Sequence, residues 1–579
     1  MIVYGDAERS EWSGTVRDDV VAGLCSLGGG EFGRTEHDAV VETFIRSGEL
    51  LQGLADAELA QRGFDADSPL QERAAKLLLL LARLVDQSAR GAPDMTQLAA
   101  AKALASSIPP DILLKTRRCE GYAHYALMPE AYLAAARASG LPPDTLVIGL
   151  RSIGTSLGAL VAAALGAAPA ITLRPGGAPF ERRIRADPAL LAGAAATGRP
   201  VAVVDEGPGL SGSSLAAAAQ WLLDNGVRRQ RIIFFCGHNG EPGSAASERT
   251  RALWAGIVRH SAAEHDVIRH SEGLERWIRP LVGIQLGPPL AFYSGSTPSR
   301  KQARDIRFER LKFIVKSETG TYLVRFAGLG ALGRQKHADA VALEKAGFGP
   351  ETIGLCRGFL VQRWVTGEPP DRMQPDFVTQ LGNYLAFRAR HFPDRQIGAS
   401  PDVLREMSIH NVGVALGRDA AYAVAMRLLD LTEPGMEPRP VRVDGRLHAW
   451  EWLRHRDRIV KLDAVDHWAG HDLVGCQDIA WDIAGASVEL GLGPAERARI
   501  MLAVARGGAA PRAALVDSLR ICYCAFQLGL WTTAVAVDLW GQTINRRRAG
   551  LYAALLTGCS SSSVRRPGGK ELTFRRRID

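Results

Sequence analysis

The 579 residues contain no Cys-x-x-Cys pair. The eight cysteines (Cys25, Cys119, Cys236, Cys356, Cys476, Cys522, Cys524 and Cys559) are scattered, and only Cys522 and Cys524 are near neighbours. That argues against a zinc ribbon or a redox dithiol. Reduced thiols in a cytoplasmic protein are the expected state. A hydrophobic leader is not expected either. No apolar h-region follows Met1 to Asp6, so no signal peptide is expected. The longest apolar run, Ile521 to Trp540, is interrupted by Gln527, Thr532, Thr533 and Asp538. It predicts a buried helix rather than a membrane span. Charge of one sign is in small excess. A formal +8 over this length permits phosphate or nucleic acid as a partner and demands neither. No aromatics interleave with the arginines at Arg546–Arg548, Arg565, Arg566 and Arg575–Arg577, as a single-strand platform would require. Those runs read as solvated, so nucleic acid is unsupported, and no membrane partner is expected. What the chain does have is 46% hydrophobic and 23% charged residues, the balance of an ordinary globular protein. Its length suggests about three or four domains.

The order of patterns divides the chain. Residues 1–115 read as a helical region without strand signal or catalytic cluster; AKLLLLLARLV at Ala75–Val85 has the density of a core helix. Residues 116–275 alternate strands and helices. Thr145–Leu150, Ala170–Leu173, Val201–Val204 and Arg231–Cys236 are the strands, and Gly158–Leu165 and Ser213–Asn225 are helices between them. That alternation predicts α/β architecture around a parallel sheet. Ligands of such sheets sit beyond the carboxyl ends of the strands, where two Gly-rich loops fall. Residues 276–300, with Pro280, Pro288, Pro289 and Pro298, read as a linker. Residues 301–370 begin with a hairpin, Lys312–Val315 and Tyr322–Phe326 around Glu318-Thr319-Gly320, and include the strand Phe359–Val365. Residues 371–559 read as mostly helical, with one strand pair near Val441–Leu462. Residues 560–579 are Ser-, Gly- and Arg-rich and predict a basic disordered tail.

The segment VAVVDEGPGLSGSSL, Val201–Leu215, carries the sharpest chemistry. Four apolar residues lead into Asp205 and Glu206, a neighbouring pair able to accept hydrogen bonds from a vicinal diol. Ser211, Gly212, Ser213 and Ser214 stand at a helix start, where backbone N–H groups and the helix dipole favour a phosphate. Diol plus phosphate describes a ribose 5-phosphate. The segment resembles the phosphoribosyl pyrophosphate (PRPP) motif of type I phosphoribosyltransferases. That resemblance implies Asp205 and Glu206 on the ribose hydroxyls, with Mg2+ carried by the ribose, and Ser211–Ser214 on the 5-phosphate. Four residues separate the acids from Ser211-Gly212, where the family usually has three. Arg151-Ser152-Ile153-Gly154-Thr155-Ser156 falls where the family has its pyrophosphate loop. Arg174, Arg182, Arg183 and Arg185 in TLRPGGAPFERRIR suit a basic loop over the leaving pyrophosphate, whose developing charge they would stabilise.

Other motifs compete or add. Gly154-Thr155-Ser156-Leu157-Gly158 satisfies the GxSxG nucleophile elbow of α/β-hydrolases, with Asp205 and His238 following; the elbow needs preceding strands that residues 1–144 do not offer. Tyr122, His124 and Tyr125 read as core or interface residues, and His238 and Asn239 as substrate contacts at the sheet edge. Gly328, Gly330 and Gly333 form a GxGxxG without a βαβ unit, which carries little.

The stretches DGRLHAWEWL, IVKLDAVDH and QDIAWDIA resemble the aminoglycoside-phosphotransferase branch of the protein-kinase-like fold. Arg446 stands where that family has its catalytic Asp, and Glu451 where it has a metal-binding Asn. Asp463 matches the magnesium-binding Asp, Asp478 and Asp482 the later helix start, and Arg325 a strand lysine. Losing the Asp removes the acceptor of the substrate hydroxyl proton. Asp463 with Glu451 would still hold Mg2+ and a nucleotide. Three functions follow as expectations: a phosphoribosyltransferase, a non-catalytic sensor of PRPP or a nucleotide, and a phosphotransferase acting through the C-terminal half. The partner is a small PRPP- or nucleotide-like molecule, and a homo-oligomer is left open.

Overall fold

The computed structural model describes residues 8–27, 34–91, 94, 96–178, 180–262, 267–268, 273–283, 291–294, 310–371, 375–395, 397–430, 438–469, 474–537 and 542–558. The predicted basic tail 560–579 and much of the predicted linker lie outside them.

The N-terminal region is not wholly helical. Strand β1 (Arg9–Trp12) pairs antiparallel with β2 (Leu113–Thr116), closing a loop around helices α1 (Ser13–Ser26), α2 (Arg34–Arg62), α3 (Pro69–Ala89) and α4 (Gln97–Ser106). Four-residue strands leave little periodicity to read, which hid them. Helix α3 starts sharply. Ser68 accepts the amides of Leu70 and Gln71, and Pro69 occupies the first turn. Its Leu77, Leu78, Leu81, Leu84 and Val85 are buried against α2 and α7.

After α5 (Glu120–His124) and α6 (Pro129–Ala138) comes the parallel sheet: β3 (Leu146–Leu150), α7 (Gly154–Leu165), β4 (Ile171–Leu173), α8 (Ala194–Thr197), β5 (Val201–Val204), α9 (Ser213–Asp224), β6 (Ile232–Cys236), α10 (Glu248–Ala255) and β7 (Val258–Ser261). The strand order is β4-β3-β5-β6-β7, with every neighbouring pair parallel. Strand β7 was not expected: only one in four of its residues is apolar, because it is an edge strand. The central strands are buried on both faces, so they read as unbroken apolar runs. Val147, Ala202, Val204, Ile233 and Phe235 pack under the N-terminal helices, while Ile148, Val201, Val203 and Phe234 pack on α9 and α10.

Helix α11 (Leu274–Ile278) crosses the predicted boundary at 275/276, and the predicted linker also holds β8 (Ala291–Ser294). Strand β8 joins an antiparallel sheet with β9 (Lys312–Ser317), β10 (Gly320–Phe326), β11 (Thr352–Cys356) and β12 (Phe359–Arg363), in the order β11-β12-β10-β9-β8. Helix α12 (Gly330–Lys345) follows β10. The helical lobe consists of α13 (Pro375–His391), α14 (Pro401–Leu416), α15 (Arg418–Asp430), α16 (Ala480–Glu489), α17 (Pro494–Arg506), α18 (Ala513–Val537) and α19 (Gln542–Thr557). The hairpin β13 (Trp452–His455) and β14 (Arg458–Lys461) interrupts it as expected. The apolar helix α18 is long enough to cross a membrane, but 72% of its apolar window is buried inside the protein. The fold is therefore mixed α/β with a parallel sheet. The antiparallel sheet shares a core with the N-terminal helices through Val315, Val324, Phe326 and Phe359.

Candidate functional site

The strands all run parallel, but the order in which they are laid down reverses between β3 and β5: β4 lies to one side of β3, whereas β5, β6 and β7 continue on the other. Such a switch point opens a crevice at the carboxyl ends of the strands. The two loops singled out by the sequence flank this one. A cavity of about 1630 Å3 lies there, lined by Arg151, Ser152, Arg174, Arg182, Asp205, Glu206, Gly209, Ser214 and His238. The acid pair and the turn at the start of α9 thus border a single space.

The acids are fixed by backbone. The Asp205 amide donates to the Phe235 carbonyl at 3.1 Å, and the Gly237 amide donates to the Glu206 carbonyl at 2.7 Å, extending the β5–β6 ladder past Val204. The Tyr132 hydroxyl donates to the Asp205 carbonyl at 2.8 Å. Asp205 also accepts the Glu206 amide at 2.9 Å. Neither side chain has an ion pair among the described residues. Burial pushes the Asp205 carboxyl up to about 7. Burial and the adjacent Asp205 charge push Glu206 up to about 8. Two desolvated carboxyls without a cation are poised for hydroxyl donors or a hard cation, whose preferred ligands are oxygens. Mg2+ carried by a sugar fits this pair. Among the described residues no group of three or more His, Cys, Asp or Glu could hold a metal by itself.

The turn expected to hold a phosphate depends on Gly212, which precedes α9 with φ +64°. Its amide donates to the Pro208 carbonyl at 2.6 Å. The Ser211 hydroxyl donates to Ser213 Oγ at 3.0 Å and accepts the Ser213 amide. Gly209 and Ser214 line the cavity; Ser211, Gly212 and Ser213 shape the turn behind them. Of the other predicted loop, Ser152 and Ile153 line the cavity. Gly154 packs instead: a Cβ there would meet the Val204 carbonyl at 2.6 Å. Thr155 is buried. Arg182 lines the cavity, whereas Arg183 is exposed and bridges Gly176 through its backbone. The elbow reading fails on geometry. Ser156 is buried, its hydroxyl donating to the Ile153 carbonyl at 2.9 Å and lying 3.0 Å from Tyr122 Oη.

The sequence missed the opposite wall. Gln52, Asp56 and Gln61 of α2, Leu113 and Lys115 of β2, and Glu120 and Tyr125 face the same cavity. Residues 1–115, thought to lack a cluster, therefore supply about a third of the cleft lining. No motif signals this, because the residues come from separate elements.

A second cluster lies in the C-terminal half. Arg325 of β10 bonds Asp463 at 2.7 Å and Asp466 at 2.6 Å. Lys336 pairs with Asp466 at 2.8 Å, and Arg446 with Glu451 at 3.1 Å. Asp482, at the start of α16, accepts the amides of Asp444 at 2.8 Å and Gly445 at 2.9 Å, clamping the segment that carries Arg446. Asp478 accepts the amides of Ala480 and Arg439. Burial works to raise the Asp463 carboxyl, but His467, Arg325, Lys461 and Arg446 hold it well below the usual range. The residues picked from sequence therefore converge, joined by Asp466 and Lys336, which were not anticipated. Glu451 and Asp463 are each neutralised by an arginine, so this arrangement does not fit a bound metal. The GxGxxG turn serves packing: the Leu329 amide donates to the Tyr122 carbonyl at 2.9 Å.

No family model matches the chain, and no curated protein does. Among solved structures it is similar to the choline kinase LicA from Streptococcus pneumoniae, at 16% identity and a TM-score of 0.33, covering 49% of this chain and 99% of that one. A choline/ethanolamine kinase family protein from Mesorhizobium loti matches at 17% identity and 0.32, covering 47% and 88%. A spectinomycin phosphotransferase matches at 12% identity and 0.34, covering 48% and 92%. These neighbours lie on the side of the kinase-like resemblance and contribute nothing to the phosphoribosyltransferase one. At such TM-scores they carry no argument about activity.

Proposed function

We propose that the chain is a transferase whose central cleft binds a ribose 5-phosphate donor of the PRPP class. What carries the reading is that the unpaired acids Asp205 and Glu206 and the α9 turn border one cavity at the switch point of a parallel sheet. The ionised acids accept the ribose hydroxyls. The turn Gly209–Ser214 and the dipole of α9 take the 5-phosphate. Ser152 and Ile153, with Arg174 and Arg182, face the pyrophosphate. In transfer, the bond from ribose C1 to pyrophosphate breaks, C1 bonds to the acceptor nucleophile, and the acceptor's proton is released. Bound Mg2+ would supply charge neutralisation on pyrophosphate. The cavity is larger than the usual range for a single small ligand, about 300–1,000 Å3, so it has room for an acceptor against Gln52, Gln61 and Tyr125.

Calorimetry with PRPP and Mg2+ tests this. Binding should occur in the native chain and vanish in Asp205→Ala/Glu206→Ala. No binding at all, or binding indifferent to that double change, overturns the proposal. Binding without pyrophosphate release across a panel of acceptors would instead favour a non-catalytic sensor.

A second reading gives phosphotransfer to the C-terminal half. It is favoured by the anionic Asp463 meeting Arg325, Glu451 and Arg446 in one cluster. ATP consumption abolished by Asp463→Ala supports it, and consumption unaffected by that change removes it.

A further inference from the structure

Two carboxylates of the N-terminal region reach the loops after β3 and β4. Asp56 lies on α2 and Asp65 just beyond its end. Arg174 donates through Nε to Asp56 at 2.9 Å and through Nη2 to the other Asp56 oxygen, while its Nη1 donates to the Arg151 carbonyl at 2.9 Å. Arg151 donates through Nη2 to Asp65, and its Nε lies 3.2 Å from Asp56. The second Asp65 oxygen accepts the Arg174 amide at 2.9 Å. Gln52, one turn before Asp56, donates to it at 3.2 Å.

The consequences for the two arginines differ. The Arg151 side chain has no exposure, so it braces the loop from behind. Arg174 is 26% exposed and lines the cavity beside Asp56. A guanidinium carries five N–H groups. Three of those on Arg174 are committed to fixed acceptors, which leaves one on Nη1 and one on Nη2. A bidentate carboxylate on one side and a main-chain carbonyl on the other remove the rotamer freedom that a free arginine would lose on binding.

We propose that Asp56 is a positioning residue: it fixes the Arg174 guanidinium so that its two remaining N–H groups meet the pyrophosphate end of the donor. The inference rests on the ribose-phosphate reading above. It assigns the N-terminal helices a part in the site rather than a covering role alone.

Simple electrostatics and simple stapling predict something else. Asp56→Asn removes one negative charge from the cleft, so charge alone would tighten anion binding. Loss of a staple alone would lower the melting temperature without weakening pyrophosphate. A positioning role predicts weaker pyrophosphate binding despite the extra positive charge.

The test titrates inorganic pyrophosphate and, separately, ribose 5-phosphate into the full chain by calorimetry, with melting curves alongside. Asp56→Asn should weaken pyrophosphate about tenfold, the scale of one oriented charge-assisted hydrogen bond. Ribose 5-phosphate binding should be unchanged, and Asp56→Glu should recover part of the loss. Unchanged or tighter pyrophosphate binding in Asp56→Asn overturns the proposal. So does a native chain that binds ribose 5-phosphate but not pyrophosphate, which leaves the ribose-phosphate reading standing. A native chain that binds neither probe removes both. Should Asp56→Asn fail to fold, Arg174→Lys replaces it, since lysine keeps the charge and loses the fork. Weaker pyrophosphate binding in that variant, with Asp56→Glu intermediate, supports the role; no change in either overturns it.

Discussion

Arg325 and Asp463 meet at 2.7 Å although 138 residues separate them, one on strand β10 and the other just past β14. The contact ties the antiparallel sheet to the helical lobe. The Arg325 side chain is 7% exposed and its other partner, Asp466, 6%, while Asp463 keeps 30% of its surface in water. Arg325→Ala leaves two carboxylates short of their shared cation. A loss of about 3–5 kcal/mol of unfolding free energy is expected, read from denaturant unfolding of the purified chain. Arg325→Lys should recover only part, because one ammonium replaces a planar fork.

The acid pair at the central cleft sets an opposing pH dependence for stability and for binding. Asp205 titrates at about 7 and Glu206 at about 8, against ordinary values of 3.8 and 4.5. Between those limits the folded chain holds protons that the unfolded chain has released. Stability from this pair is therefore fully present in acid, falls as pH rises through the window, and levels off above about 8. Ribose hydroxyls need the ionised acids. Ribose 5-phosphate affinity should rise over the upper part of that window, with proton release on binding that vanishes in Asp205→Asn/Glu206→Gln. Calorimetry in two buffers of different ionisation enthalpy measures that release. Binding that is flat from pH 6 to 9 would contradict the assignment.

Gly212 offers a test of the phosphate turn alone. Its φ of +64° is a conformation that L side chains rarely adopt, and a Cβ there would also meet Pro242 at 3.0 Å. Gly212→Ala is expected to cost about 1–2 kcal/mol of stability. It should weaken ribose 5-phosphate far more than inorganic pyrophosphate, because the loop proposed to face pyrophosphate follows another strand, β3. Equal losses for both probes would mean the turn acts only through overall folding.

What the sequence disclosed follows from how locally each feature is encoded. Val201–Val204 is buried on both faces, so it reads as an apolar run, and Asp205 and Glu206 sit where that run ends. The switch point between β3 and β5 then brings their loops together without further information. In the C-terminal half, Asp463, Glu451 and Arg446 were found because short motifs carry them. The missed features are non-local. Asp56 and Asp65 are two acids among many on a helical region, and only tertiary packing gives them Arg151 and Arg174. Strands β1, β2, β7 and β8 have four residues each, too few for alternation to register. Asp466 lies inside IVKLDAVDH, where the resemblance assigns only Asp463, and Lys336 lies on a helix that carries no such stretch.

The turn between β11 and β12 makes the last contact with a measurable consequence. Arg357 there has φ +50°, and its guanidinium lies 2.5 Å from both Glu130 of α6 and His37 of α2. It stacks 5.0 Å from the Trp277 ring, and its amide donates to Asp38 at 3.2 Å. One side chain thus joins the antiparallel sheet to three helices. Burial works to raise Glu130, but His37 and Arg357 hold it at about 2. A carboxyl held down in this way stabilises the fold fully above its ordinary value of 4.5, and that stabilisation is lost as pH falls through about 2. Arg357→Ala should remove about 2–5 kcal/mol at neutral pH, the usual scale for truncating one partner of a buried charge pair. The deficit should shrink on acidification toward pH 2, because protonated Glu130 no longer needs a cation. Urea unfolding of native and variant chains at pH 7 and at pH 3 measures both. A deficit equal at the two pH values would assign the loss to the Trp277 stack rather than to the charge.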